Sequence, residues 1–204
     1  IGSGLVGSEM CIRDSAVVSG GQTMNPSTED ILAAIQSVPA KTVFVLPNNK
    51  NIIMAAQQCV GLTEKQVIVV PTHSIPQGIS AMMSVDTAEE DPQAILAAMT
   101  EAAAAVTTAQ ITYAARNSDF DGFAINEGDY LALLDGKLFG TERDITSLLT
   151  RLAALAAERE AAFVTLFYGE GVSQEEAEAA QALFTEACPE TEVSLLSGGQ
   201  PVYY

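Results

Sequence analysis

The chain has 204 residues, 48% of them apolar and 17% charged, a composition of globular folds and long enough for one large or two small domains. Nine Lys and Arg against 26 Asp and Glu leave a net charge of −17, which excludes nucleic acid as a partner because nothing could replace the phosphate counterions. Apolar runs such as VFVL and VIVV are strand-length and the Ala-rich runs are interrupted by Glu, so no membrane span is expected.

The opening residues GSGLVG satisfy G-x-G-x-x-G. Only Ile1 precedes them, and neither a helical stripe nor a cap follows, so the setting of a dinucleotide site is absent. The string VGSEMCIRDS resembles translated sequencing-adapter read-through, and residues 1–15 are expected to be a non-native or disordered leader. It has neither the basic start nor the apolar core of a signal peptide.

From Ala16 short β-branched runs alternate with amphipathic stretches. AVVS leads to PSTEDILAAIQSV, in which Ile31, Leu32, Ile35 and Val38 share one helical face and Ser27 with Asp30 forms a capping-box signature. TVFVLP leads to NKNIIMAAQQCV, and QVIVVP leads to SIPQGISAMM. Strands near Val17, Val43 and Val67 joined by single helices predict a parallel sheet covered on both faces. A long helix from about Asp91 to Val106 closes this first unit, residues 16–106.

Residues 107–204 read differently. QITYAARNSDFDGFAINEGDYLALLDGKLFG is predicted as a β-meander broken by the turns DFDG, NEGD and DGK. RDITSLLTRLAALAAERE is a helix with Ile145, Leu148, Leu149, Leu152 and Leu155 on one face. AAFVTLFYG is a strand, SQEEAEAAQALFTEA a helix capped by Ser173 and Glu176, and TEVSLLSGGQPVYY a strand. The fold class is therefore α/β, a parallel βα unit followed by a smaller mixed α/β unit.

In a parallel βα sheet, ligands bind beyond the carboxyl ends of the strands. Three loops there share a composition rich in short polar side chains with Gly or Pro. SGGQTMNPS offers Ser19, Gly20, Gly21, Gln22, Thr23 and Asn25 before a helix N-terminus, or is simply a strand-exit turn and cap. PNNKN offers Asn48, Asn49, Lys50 and Asn51. Lys50 opposes the helix dipole unless it meets an anion or simply faces solvent. PTHSIPQG offers Thr72, the sole histidine His73, Ser74 and Gln77. Neighbouring residues point apart, so no catalytic triad follows from Thr72, His73 and Ser74. No catalytic residue is assigned.

Familiar machinery is missing from the sequence: no G-x-x-x-x-G-K-[ST] phosphate loop, no G-x-S-x-G elbow, no H-E-x-x-H and no dense aspartate run for magnesium. Cys11, Cys59 and Cys188 are an odd, scattered set, expected as free thiols in a reducing cytoplasm. With one histidine there is no framework for a metal site.

The segments VVSGGQTMNPSTEDILAAI, VFVLPNNKNIIMAAQQ, VIVVPTHSIPQGISAMM, YGEGVSQEEAEA and SGGQPVYY resemble the C-terminal region of the bacterial fatty acid kinase catalytic subunit, of the dihydroxyacetone-kinase-like family. That resemblance implies a two-part α/β architecture similar to DegV-type carriers. It also implies an enzyme that uses ATP and magnesium to phosphorylate a fatty acid held by a DegV-type fatty-acid-binding protein, in lipid metabolism and phospholipid synthesis. The implied role of this region is to engage that carrier, with a homodimer formed through the full-length protein. The kinase domain is not in this chain, so it is expected to hold no cofactor and to be inactive alone. Both ends read as cut, the last strand continuing past Tyr204 in the family. The alternative is a self-contained α/β small-anion-binding protein or enzyme using the loops at the strand ends.

Overall fold

A computed structural model describes residues 15–18, 25–120 and 123–204, which fall into two units, one ending at Thr108 and one running from Ala109 to Tyr204.

In the first unit, helix α1 (Thr28–Ser37) starts where the capping box predicts: Ser27 Oγ accepts from Asp30 N at 3.1 Å while Asp30 Oδ2 accepts from Ser27 N at 2.9 Å. These bonds satisfy two of the donors that a helix start leaves open. Strand β1 (Thr42–Val45), helix α2 (Lys50–Cys59) and strand β2 (Gln66–Val69) form one crossover, with β1 and β2 parallel and Val43 opposite Val67. Helices α3 (Ile75–Met83) and α4 (Pro92–Ala104) follow, capped by Ser74 and Asp91. Alternate strand residues serve two cores. Val43, Val45 and Val67 pack with Ile31, Ile35 and Cys59 of α1 and α2, whereas Phe44, Leu46 and Val70 pack with Ala81, Met99 and Ala103 of α3 and α4. That is the two-sided cover a parallel pair requires. At the far end of α1, Lys65 Nζ donates to the carbonyls of Ile35 (2.8 Å), Gln36 (3.1 Å) and Val38, a cation on the carbonyls that the helix leaves unpaired.

The strand predicted near Val17 does not form: residues 15–18 belong to no ladder and Val17 is 77% exposed. A three-residue apolar run has no stabilisation without a neighbour's hydrogen bonds, and the described sheet of this unit is β1–β2 alone.

In the second unit, β3 (Ala109–Tyr113), β6 (Tyr130–Leu134) and β7 (Lys137–Glu142) form an antiparallel sheet in the order β3-β6-β7. The predicted meander is corrected here, because β4 (Ser118–Phe120) and β5 (Phe123–Ile125) pair only with each other and the chain returns to β3 through β6. Strands of three residues are too short to extend the main sheet, and the turn Asn126–Asp129 redirects the chain. The DGK turn behaves as read, with positive φ at Asp135 (49°) and Gly136 (78°) between the paired residues Leu134 and Lys137, the geometry of a two-residue hairpin. Helix α5 (Ile145–Glu158), strand β8 (Phe163–Tyr168), helix α6 (Gln174–Ala187) and strand β9 (Glu192–Ser197) complete the unit, β8 and β9 being parallel. One core unites them: Ile111, Ala132, Leu148, Leu152, Ala153 and Phe184, with Val164, Leu166 and Val193 against it.

The last predicted strand is also corrected. β9 stops at Ser197 because Gly199 (φ 60°) and Val202 (φ 72°) turn the chain through left-handed conformations. Residues 198–204 then run back to β3, where Thr112 Oγ1 donates to Val202 O and Tyr204 N donates to Ile111 O, both at 3.0 Å. Cys59 and Cys188 are buried free thiols, while Cys11 lies outside the described residues.

Asp129 gives this unit a pH dependence. Its buried carboxylate accepts from the Asn126 backbone N–H at 2.8 Å and from Asn126 Nδ2 at 3.0 Å, with Arg143 at 3.7 Å. The Asn126 backbone bond, then its side-chain bond, hold the carboxyl below its ordinary value against the opposing effect of burial. A depressed folded pKa means that the unfolded chain takes the proton first as pH falls. The stabilisation is therefore complete above the ordinary carboxylate pKa of about 4 and is lost as pH drops through the lower folded value. Asp129→Asn is expected to lower stability at neutral pH and to flatten the acid limb of a denaturation-versus-pH series; an unchanged acid limb would contradict this.

Candidate functional site

Parallel pairing of β1 with β2 places the two loops that leave their carboxyl ends side by side. The chain passes from β1 into α2 through Asn48, whose φ of 56° is the left-handed conformation that Asn tolerates better than most residues. Asn49 then caps α2, its side chain accepting from Asn51 N at 2.9 Å. Asn48 N donates to Thr72 Oγ1 of the neighbouring loop at 3.0 Å, and Thr72 is fully buried. The Asn48 carboxamide lies against the first turn of α3, so close that a Cβ on Gly78 would stand 2.1 Å from its Oδ1. That oxygen is buried and has no hydrogen-bond partner.

The second loop is tied down as well. Ser74 Oγ lies 2.7 Å from Thr108 Oγ1 and accepts from Gln77 N at 3.4 Å, while Gln77 Oε1 accepts from His73 N at 2.7 Å. Asn48, Thr72, Ser74 and Gln77 thus interlock two βα loops across the sheet edge. Asn25, Lys50, Asn51 and His73 are exposed; Ser19, Gly20, Gly21, Gln22 and Thr23 lie outside the described residues. The hydroxyls beside His73 are turned to Asn48 and Thr108, so the geometry is that of a latched binding edge and not of a nucleophile with its base. The first turns of α2 and α3 carry no acidic residue, which leaves their dipoles and Lys50 facing outward together.

Two partners in this edge escaped the sequence reading. Gly78 stood inside PTHSIPQG without a visible reason for glycine, and Thr108 carried no local signal. The contact between Gly78 and Asn48 makes a testable coupling. Gly78→Ala alone is expected to displace the Asn48 carboxamide and destabilise by about 1 kcal/mol. In an Asn48→Gly background the same change relieves the contact and gains about 0.5–1 kcal/mol of helix propensity. Urea denaturation of the four proteins measures the coupling, and equal effects in both backgrounds would disprove the contact.

As for metals and ATP, the donor set does not fit a bound magnesium: no group of three or more His, Cys, Asp or Glu stands together among the described residues. No described helix is long and apolar enough to cross a membrane.

Residues 8–204 match the FakA-like C-terminal family of fatty acid kinases. The chain is 41% identical over 203 residues to the protein YloV of Bacillus subtilis, covering 100% of this chain and 36% of that protein. It is 35% identical over 190 residues to an uncharacterized protein of Staphylococcus aureus, covering 92% of this chain and 34% of that one. Among solved structures, the Streptococcus pneumoniae Fatty Acid Kinase (Fak) B3 protein loaded with linoleic acid shares the fold, with a TM-score of 0.62 at 12% identity over 84% of this chain and 69% of that chain. The chain belongs to the FakA-like C-terminal family, and it spans about a third of the length of the curated relatives it matches.

Proposed function

From that membership we propose that this chain is the non-catalytic region of a fatty acid kinase that engages the fatty-acid-binding protein carrying the substrate. In the complete enzyme, ATP and magnesium would act in a part outside this chain and form an acyl phosphate on the carried fatty acid. The family match over residues 8–204 carries the reading. It is supported by a fold shared with a Fak B protein, and by an edge site whose hydroxyls hold loops together and leave no nucleophile beside His73. The chain incubated with ATP, magnesium and a fatty-acid-loaded Fak B type protein is expected to bind that protein and release no ADP. ADP release at an enzymatic rate, or no binding, would overturn it.

One observation favours a second reading, a small-anion site at the β1–β2 edge: Lys50 stands exposed at the start of α2 with no acid in the first turn. The buried, unpartnered Asn48 Oδ1 beside it presents oxygen where an anion would need a donor. Lys50→Ala and His73→Ala decide between the two. Loss of phosphate or carboxylate binding in a folded protein supports the anion site, and indifference supports the carrier role.

A further inference from the structure

All five tyrosines of the chain lie in the second unit, at positions 113, 130, 168, 203 and 204, and there is no tryptophan. Three of their rings meet. Tyr113 of β3 stands opposite Tyr130 of β6 in the antiparallel register, on the face that carries Ile111 and Ala132 into the core. Tyr204 sets its ring edge-on to both, with centroids 6.3 Å from Tyr113 and 5.1 Å from Tyr130. The apolar face of this sheet therefore ends in a tyrosine cluster that opens to solvent through Tyr113, which is 45% exposed.

The same cluster adjoins the carboxyl ends of the parallel pair β8–β9, where ligands and partners meet an open α/β sheet. Glu170 follows β8, is exposed, and donates its backbone N–H to Gln200 O at 3.0 Å. Glu176, in the first turn of α6, acts on the Tyr204 hydroxyl, whose pKa is raised first by burial and then by Tyr130, Tyr113 and Glu176. The charge around this end is of one sign. From residue 160 to residue 204 the sequence contains eight Glu and no Lys, Arg or His. On the other strands of the unit, Arg143 faces Asp129 and Arg151 faces Glu142, and Arg116 is the cation nearest to Tyr113 in sequence.

We propose that the cluster of Tyr113, Tyr130 and Tyr204, rimmed by Glu170 and Glu176, is the surface on which this chain docks a basic, arginine- or lysine-bearing face of the fatty-acid-binding protein. The inference rests on the carrier-engaging reading above and names its surface. Tyrosine supplies contact area with few rotors and concentrates at binding hot spots. Its ring face attracts a guanidinium or ammonium group. Glutamates around it steer such a face in and repel acidic ones. A free fatty acid is disfavoured here, because its carboxylate would enter a rim of carboxylates.

The test titrates the chain with the Fak B type protein of the same genome, loaded with linoleic acid, and uses Tyr113→Ala and Glu170→Lys. Both positions are exposed and circular dichroism checks their folding. Each variant is expected to bind about tenfold more weakly, and Tyr113→Phe is expected to retain most of the affinity. Wild-type binding should weaken between roughly 50 and 300 mM salt, with a shallower slope for Glu170→Lys. Wild-type binding that neither substitution disturbs would overturn this surface and leave the carrier reading standing. No wild-type binding at all would overturn both.

Discussion

Gly169→Ala is expected to detach the end of the chain from the second unit, at a cost of about 2–4 kcal/mol. A Cβ at this position would stand 1.9 Å from Tyr203 O, 2.8 Å from Gln200 O and 3.0 Å from the Tyr203 carbonyl carbon. All three are backbone atoms, so no side-chain rotation relieves the overlap, and either β8 or the returning segment has to move. The segment is the weaker partner. It is held by Glu170 N to Gln200 O, Gln200 Nε2 to Phe167 O, Thr112 Oγ1 to Val202 O and Tyr204 N to Ile111 O, each at 3.0 Å. Losing that alignment uncovers Tyr113 and Tyr130, because Tyr204 is the ring that bridges them. Tyrosine fluorescence in a urea series and the rate of proteolysis after Ser197 should both report the change. Gly171→Ala is the control, having nothing within 4 Å of its would-be Cβ; equal midpoints for the two variants would refute the close approach.

The same returning segment marks how far the sequence could be read. Helix α1 was legible because its signals are local: Ser27 and Asp30 bond each other three residues apart, and Ile31 and Ile35 bury on one stripe. Strands β1 and β2 were legible as continuous apolar runs, and their parallel pairing predicted that PNNKN and PTHSIPQG would meet. Residues 198–204 were not, because SLLSGGQPVYY keeps a strand-like apolar rhythm and nothing in it announces a left-handed valine. The run AVV misled in the opposite direction, since a strand exists only with a neighbour and none pairs with residues 15–18. The β4–β5 pair was read as part of a meander because sequence shows turns but not which strands pair across them. At the edge site, composition pointed to the correct loops, but the Asn48–Gly78 contact joins residues of two different loops and no local pattern carries it. The tyrosine cluster lay in plain view as a composition bias confined to one half of the chain, yet its members are far apart in sequence and only β3–β6 register and the chain reversal bring them together.

That confinement supplies a selective probe for the remaining large effect, Leu148→Ala. Leu148 is fully buried and lies in the core that joins β3 and β6 of the antiparallel sheet to α5 and α6, with β8 and β9 packed against it. Truncation removes its contacts with both sheets at once, and surrounding helices relax only in part, so a loss of about 3–5 kcal/mol is expected. Alanine is the better helix former, which means that the measured loss understates the packing it reports. Domains of this class hold about 5–15 kcal/mol in all, so the variant should lie close to its unfolding midpoint near physiological temperature. All five tyrosines belong to residues 109–204 and the chain has no tryptophan, so the tyrosine signal follows this unit and not the one built on β1 and β2. Leu155→Ala, on the same helix at a half-buried position, should lose markedly less. A Leu148→Ala midpoint no lower than that of Leu155→Ala would mean that α5 is not the element on which the two sheets pack. The engaging surface proposed at Tyr113 would then lack the rigid support that binding through a preformed cluster requires.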